Sequence, residues 1–179
     1  MVNMRPFTAF EQKNLKFLVN HNLKFTQVEI TPTGLGKGIL DSTAPMRAYF
    51  LENGIHNYEE QLQGQEHKQV KTACILTDTA QFFTKASFYR PNTKKGDPRM
   101  WIYGFGSYTE GNDIHVLFWH EQTLYSINIT HIDIEKCYNS AIITPMQEVL
   151  KAINQEGNSV SEELLGRFHR PRVEAARQR

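Results

Sequence analysis

The sequence predicts a mainly β protein with short helices, built on an open β-barrel or a strongly curved sheet. Five segments rich in aromatic and other β-favouring residues follow one another at short intervals: residues 70–76, 81–89, 100–105, 113–120 and 124–129. One earlier strand is predicted over residues 24–30, and only short helices are predicted among these strands. Several short strands joined by turns are typical of barrels and curved sheets, so an open barrel is the expected architecture.

Length and composition predict one domain. The chain has 179 residues and no long apolar run, so we expect a domain over residues 1–157 and a basic tail or linker over residues 158–179. No apolar stretch is long enough to cross a bilayer and no signal peptide opens the chain, which together favour a cytoplasmic location without a membrane partner. Cys74 and Cys137 lack partners at metal-ligand spacing and are interpreted as reduced structural residues.

The predicted helices carry recognisable start signals. Thr8 and Glu11 match a capping box, and apolar residues at a helical period follow as far as residue 18. A second helix is expected over residues 44–53, and a third begins at the Thr144-Pro145 pair and is expected to cover an open end of the barrel. The polar residues 55–67 are interpreted as an irregular surface connection, and residues 161–165 as one more helical turn.

Residues 31–38, Thr-Pro-Thr-Gly-Leu-Gly-Lys-Gly, predict an exposed loop in which three glycines allow close approach to another backbone. A phosphate-binding loop is excluded by the spacing, because no Gly-Lys-Ser/Thr ending follows.

Residues 90–99, Arg-Pro-Asn-Thr-Lys-Lys-Gly-Asp-Pro-Arg, place four cations and one carboxylate between two predicted strands. The prolines, the glycine and Asn92 indicate a turn, so the cations lie on an exposed projection. Repelling charges of one sign on such a projection favour a polyanion as the partner, although a solvated hairpin tip is the simpler alternative. The formal net charge is only +1, so any affinity for nucleic acid must come from this local patch.

The order of these segments resembles the DNA-binding pseudobarrel of plant transcription factors and of the N-terminal effector domain of EcoRII-type restriction endonucleases. The resemblance depends on residues 33–37, residues 88–99 and the late strand 113–118, and it covers roughly residues 25–129. The chain departs from the family in its long opening helix and in residues 55–67. In that family two arms straddle the major groove. By resemblance, the N-terminal arm would be residues 31–41 and the C-terminal arm residues 90–99.

The resemblance implies a non-catalytic domain that binds a specific double-stranded DNA sequence, as the targeting part of a restriction endonuclease with a fused or associated nuclease domain. The expected DNA-binding residues lie on the two arms: Thr31, Thr33, Gly34, Gly36, Lys37, Arg90, Asn92, Thr93, Lys94, Lys95, Asp97 and Arg99. Arg90 and Arg99 at the strand ends are expected to read base edges, and the two lysines at the tip to contact phosphates. No cofactor, metal or catalytic residue is expected.

Two alternatives remain open. A metal-dependent nuclease would use Glu66 and Lys68, with Asp41 or Glu60 as a further carboxylate, although such short patterns occur by chance. His115, His120 and His131 are weak metal-ligand candidates, since His115 and His120 point to opposite faces of a strand. A modified-cytosine reader would hold a flipped base between aromatic side chains from the set Phe82, Phe83, Phe88, Tyr89, Trp101, Tyr103, Phe118 and Trp119, most of which are expected in the core.

Overall fold

A computed structural model describes residues 4–155, and seven strands in this range form one sheet in the order β1-β6-β7-β3-β4-β5-β2. The β3–β7 pair is parallel and the other pairs are antiparallel. The sheet curls into a nearly closed barrel, with β1 and β2 at the two ends of the strand order. The strands are β1 Thr26–Ile30, β2 Leu40–Asp41, β3 Gln69–Leu76, β4 Gln81–Tyr89, β5 Arg99–Ile102, β6 Asp113–His120 and β7 Thr123–Asn128. The predicted mainly β barrel with short helices is therefore confirmed.

The predicted strands agree closely with the observed ones. Strands β4 and β6 have the predicted bounds, β3 begins one residue earlier than predicted, and β7 is shifted by one residue toward the N-terminus at both ends. Strand β5 is shorter than predicted because Gly104 has a φ of 96° and starts a 3₁₀ turn over Phe105–Ser107. The turn between β6 and β7 has Glu121 and Gln122 at positive φ, as a type I′ hairpin turn requires.

The first helix, α1 (Ala9–Asn20), begins with the predicted capping box. Thr8 Oγ1 accepts from the Glu11 N–H at 3.1 Å, and Glu11 Oε1 accepts from the Thr8 N–H at 2.8 Å. The fully buried Glu11 carboxylate also receives a bidentate pair from Arg5, at 2.8 and 2.6 Å, and a 2.6 Å hydrogen bond from Thr130 Oγ1. These bonds attach the start of α1 to the chain that follows β7.

Four further α-helices lie in the described range: α2 (Pro32–Lys37), α3 (Ala44–Glu52), α4 (Ile134–Tyr138) and α5, which occupies residues 145–155. The predicted helix over residues 44–53 is confirmed as α3, and the predicted helix start at Thr144-Pro145 is confirmed as the start of α5. The exposed-loop prediction for residues 31–38 is wrong, because Pro32–Lys37 is helical, with Thr31 as its cap. The short helix α4, capped by Asp133, was not predicted.

The sheet has a hydrophobic cluster on each face. All seven strands contribute to the first cluster, in which α3 places Met46 and Phe50, so this cluster fills the barrel interior. The second lies on the outer face of β3, β6 and β7 and is covered by α1, α4 and α5 through Leu18, Cys137 and Leu150. The last helix therefore covers an outer sheet face, and not the barrel end where the sequence placed it, because the alternate residues of these strands are apolar as well.

Residues 55–67 are not a simple surface connection, contrary to prediction. Ile55 and Tyr58 are buried in the interior cluster, and the Tyr58 hydroxyl donates to the carbonyl oxygen of Arg99 at 2.8 Å and lies 2.6 Å from Ser42 Oγ. Gln61 Nε2 donates to the carbonyl oxygens of His67 and Phe88, both at 2.9 Å. This segment therefore supports the base of the C-terminal arm. The expected turn at residues 161–165 and the expected tail at 158–179 lie outside the described residues.

Candidate functional site

The two predicted DNA-binding arms are joined in the structure. Strand β2 at the end of the N-terminal arm pairs with β5, so that Asp41 lies opposite Arg99 and Leu40 opposite Met100. Ser42 N donates to the carbonyl oxygen of Pro98 at 3.0 Å, which extends the contact by one residue. Two segments more than fifty residues apart in the sequence therefore meet along one edge of the barrel.

Arg99 and Asp41 form an ion pair across this junction. Arg99 Nε lies 2.9 Å from Asp41 Oδ1, yet its N–H does not point at the oxygen well enough to donate a hydrogen bond. The Arg99 side chain is 16% exposed, whereas that of Asp41 is 73% exposed. The ion pair therefore restrains Arg99, and the Nε–H group donates no hydrogen bond.

Arg90 stabilises the C-terminal arm from within. Its Nε donates to the carbonyl oxygen of Gly96 at 2.8 Å, and its Nη1 donates to the carbonyl oxygen of Tyr58 at 3.2 Å. The guanidinium thus connects the strand end, the arm tip and the 55–67 segment. In this arrangement Arg90 orders the arm, and two of its five donors are already used.

The tip of the C-terminal arm has an unusual backbone. Lys94, Lys95 and Gly96 have φ values of 51°, 58° and 71°, three successive residues in the left-handed region. Two non-glycine residues in that region cost energy, so the surrounding bonds must hold them there. Both lysine side chains are exposed, and so are Asn92, Thr93 and Asp97. The arm therefore presents two lysines and three neutral or acidic side chains to solvent.

The N-terminal arm contains the helix α2. Thr31 Oγ1 accepts from the Gly34 N–H at 3.0 Å, and Gly38 ends the helix with a φ of 67°. A Cβ on Gly34 would lie 2.7 Å from the Ile39 carbonyl oxygen, whereas one on Gly36 would meet nothing within 4 Å. Of these two glycines, only Gly34 is required by close packing. Gly34 and Gly36 both lie within the helix, and neither has a positive φ.

The exposed face of α2 includes Thr33, Gly36 and Lys37. Lys37, Lys94 and Lys95 take part in none of the ion pairs formed by residues 4–155. Three uncompensated cations therefore lie on two arms that share one edge of the barrel.

The residues of the nuclease alternative do not come together. Glu66 is exposed and its Oε1 lies 3.8 Å from His67 Nε2, while Lys68 Nζ lies over the Tyr89 ring. Asp41 faces Arg99, and Glu60 lines a cleft of about 470 Å³ with His56 and His67. Within the described chain, Glu66 belongs to no group of acidic, histidine or cysteine residues with metal-binding spacing.

A different polar cluster lies at the open end of the β6–β7 hairpin. His131 Nε2 is 3.1 Å from Asp113 Oδ1 and 3.3 Å from Glu110 Oε1. Asn128 Nδ2 donates to Asp113 Oδ2 at 2.9 Å, and the Glu110 N–H donates to the same oxygen at 2.8 Å. The cluster borders a cleft of about 460 Å³ that is also lined by Thr77, Asp78, Ser107, Tyr108, Thr109 and His115.

His115 is a buried neighbour of this cluster. Its Nε2 lies 2.9 Å from Thr109 Oγ1 and its Nδ1 lies 2.7 Å from Ser126 Oγ. Burial lowers the pKa of His115 to about 3, against a weaker opposing effect of the Asp113 charge. Both ring nitrogens of this neutral imidazole are therefore engaged. The prediction that His115 and His120 face opposite sides of β6 is confirmed, since the neighbours Leu117 and Phe118 lie in different clusters.

Sequence reasoning did not find this cluster. The sequence places Asp113 at the start of a predicted strand and offers His131 only as a weak metal-ligand candidate beside His115 and His120, and Glu110 is not singled out. The available signal was the predicted β6–β7 hairpin, because the start of one antiparallel strand and the end of its partner lie at the same edge.

The aromatic residues offer little to a modified-base reader. Phe88 and Phe118 are fully buried in the two clusters, and Phe82, Phe83 and Tyr103 are exposed to solvent. Neither cleft described above is lined by a pair of Phe, Tyr or Trp rings able to enclose a base.

Comparison of the chain with protein families, curated proteins and solved structures gave no significant match. Among residues 4–155, no helix combines the length and the apolar character needed to cross a membrane. The class that the coordinates define is a mainly β, barrel-like domain with two joined arms at one edge.

Proposed function

We propose that this chain binds double-stranded DNA through the edge formed by residues 31–41 and 90–99. The observation that carries the proposal is the placement of Lys37, Lys94 and Lys95, three exposed cations without carboxylate partners, on two arms joined by the β2–β5 pair. Lysines without carboxylate partners attract phosphates, and because the net charge of the chain is only +1, this attraction is confined to the edge that carries them.

The internal bonds of the two arginines change the expected division of roles. Arg90 donates to two carbonyl oxygens and so positions the arm. Arg99 forms an ion pair with Asp41, which must break or rearrange before the guanidinium contacts a base. The exposed Asn92, Thr93 and Asp97 are then the side chains able to reach base edges without breaking an internal bond. Asn pairs with adenine and Asp accepts from cytosine, so these residues support sequence preference.

The resemblance to EcoRII-type effector domains supports a setting in which this domain directs a restriction endonuclease to its site. Cleavage would then be supplied by a fused or associated nuclease domain. Within residues 4–155, Glu66 belongs to no group of three acidic, histidine or cysteine side chains that could hold a metal ion, which agrees with a recognition role for the two arms.

The proposal is tested by selecting bound duplexes from a random pool, then titrating the preferred and a scrambled duplex at several salt concentrations. The double variant Lys94→Ala, Lys95→Ala is expected to weaken both duplexes alike and to lower the salt slope by roughly two. A matched control is Lys16→Ala, Lys136→Ala, which removes the same charge from α1 and α4 on the outer sheet face.

Replacing Asn92 and Asp97 with alanine is expected to reduce the difference between the two duplexes by roughly 1–3 kcal/mol. If the Lys94→Ala, Lys95→Ala variant and the Lys16→Ala, Lys136→Ala control weaken DNA binding equally, the total charge of the protein and not the arm determines the affinity. Absence of any selected duplex, with the protein folded, would refute DNA recognition by this edge.

A further inference from the structure

We propose that Glu110, Asp113 and His131 form a binding site for a divalent transition-metal ion, with Zn²⁺ and Mn²⁺ as the best-suited ions. The site opens into the cleft beside the β6–β7 hairpin. It is independent of the DNA-binding proposal, since it involves neither lysine-bearing arm tip.

The spacing of the donor atoms fits a metal ion. Donor atoms about 2.0–2.2 Å from a tetrahedral zinc ion lie roughly 3.3–3.5 Å from one another, and cis donors of an octahedral ion lie about 3.0 Å apart. His131 Nε2 lies 3.1 Å from Asp113 Oδ1 and 3.3 Å from Glu110 Oε1, within this range. All three donor atoms lie within 4.8 Å of one another, and the exposed Glu110 side chain has space to adjust.

Asp113 is held as an oriented ligand. Its side chain is 6% exposed, and Oδ2 accepts from the Glu110 N–H and from Asn128 Nδ2. These two donors occupy one oxygen and leave Oδ1 to face His131 Nε2. Outer hydrogen bonds of this kind commonly fix the direction of ligands in metal sites.

The charge of the cluster also favours a cation. Two carboxylates face one histidine, and among the described residues no lysine or arginine forms an ion pair with Asp113 or Glu110. The nearby Arg5 guanidinium instead pairs with Glu11 and donates to the carbonyl oxygen of Asn112. A buried carboxylate without full compensation is costly, and a bound cation would offset that cost.

The ligand types indicate which metal ions would bind here, and the cleft indicates that the ion would keep an open coordination position. One imidazole and two carboxylates suit Zn²⁺ and Mn²⁺ better than Mg²⁺ or Ca²⁺, which prefer oxygen ligands alone. Three protein ligands leave at least one position open, as in catalytic and not structural zinc sites. The cleft of about 460 Å³ offers space for water or a small anionic ligand at that position.

The simpler alternative is that His131 only forms hydrogen-bonded ion pairs with the two carboxylates. The experiment uses the full chain, stripped with a chelator and desalted, and measures calorimetric titration with Zn²⁺ and Mn²⁺ together with the melting temperature. We expect one ion per chain at this site and a rise in melting temperature, with much weaker responses to Mg²⁺ and Ca²⁺.

The variants are Glu110→Gln and His131→Ala, whose side chains are 82% and 53% exposed, so the apo fold is expected to survive. Loss of an orienting partner alone costs roughly ten- to a hundredfold in metal affinity, so loss of either ligand should cost at least as much. The matched control is His67→Ala, which removes another half-exposed histidine beside a glutamate.

Retained binding in Glu110→Gln and His131→Ala would overturn the assignment, as would equal loss in the His67→Ala control. No binding by the unaltered chain would show that the cluster is an ion pair only. DNA titrations do not enter this test, so failure of the metal site and failure of DNA binding are separate outcomes.

Discussion

Asp41 and Arg99 lie opposite each other in the β2–β5 pair, and their side chains form an ion pair with an Nε–Oδ1 distance of 2.9 Å. This pair links the last residue of the N-terminal arm to the last residue of the C-terminal arm. It also places a carboxylate on the edge proposed to bind phosphates, so Asp41 opposes binding while it restrains Arg99.

We therefore expect Asp41→Asn to increase the affinity for DNA, because it removes a negative charge and releases Arg99. Asp41 is largely exposed, and exposed ion pairs contribute about 0–1 kcal/mol, so the melting temperature should change little. Titration of the selected and scrambled duplexes measures the effect. The gain should disappear in Asp41→Asn, Arg99→Ala if Arg99 is the released contact; a gain that persists would assign the effect to charge alone.

Arg90→Ala is expected to loosen the C-terminal arm, because Gly96 and Tyr58 both lose a donor to their carbonyl oxygens. Hydrogen bonds from charged groups contribute roughly 1.5–3 kcal/mol each at most, so we expect local destabilisation of that order. Amide hydrogen exchange at residues 93–97 should accelerate. Lys94→Ala serves as the control, since its exposed side chain makes no such bond; equal acceleration in both variants would contradict this role for Arg90.

The two glycines of α2 should differ sharply in their tolerance of alanine. Gly34→Ala places a methyl group 2.7 Å from the Ile39 carbonyl oxygen and 2.8 Å from Leu40 Cδ2, so the helix or β2 must move. Overpacking of this kind typically costs 1–3 kcal/mol, whereas Gly36→Ala meets open space and should stabilise α2 by up to about 1 kcal/mol. Chemical denaturation of the two variants measures the difference. Similar stabilities would show that the 31–41 segment relaxes freely.

Glu11 predicts a pH dependence of stability. The Arg5 hydrogen bonds, with further bonds from Thr130 and Thr8, lower the pKa of Glu11 from 4.5 to about 2. Because the folded pKa lies below the unfolded one, this stabilisation is present above about pH 4.5 and is lost as the pH falls toward 2.

Glu11→Gln should therefore lower the free energy of unfolding near pH 7 by on the order of 3 kcal/mol, at about 1.4 kcal/mol per pKa unit. Denaturation at a series of pH values should show the difference from the unaltered protein shrinking between about pH 5 and pH 2. A difference that is constant over this range would show that the carboxylate charge is not what stabilises the α1 start.

Much of the barrel was predictable because strand signals are local. The alternating and aromatic runs of β4 and β6 lead to strands with the predicted bounds, and Thr8 with Glu11 forms the predicted capping box. The loop prediction for residues 31–38 is wrong because it gave more weight to the three glycines than to the helix start signal at Thr31-Pro32. Packing decided that case, since Gly34 fits beneath Leu40 only without a side chain.

The sequence alone places four cations between two strands and predicts a β-rich barrel with short helices. Which of these cations are paired depends on the folded structure. Arg90 and Arg99 are engaged by Gly96, Tyr58 and Asp41, while Lys94 and Lys95 remain exposed. It also brought His131 to Asp113, eighteen residues earlier in the chain. Periodicity and turn chemistry act over a few neighbouring residues, whereas these pairings arise from strand register and barrel closure, which join distant segments.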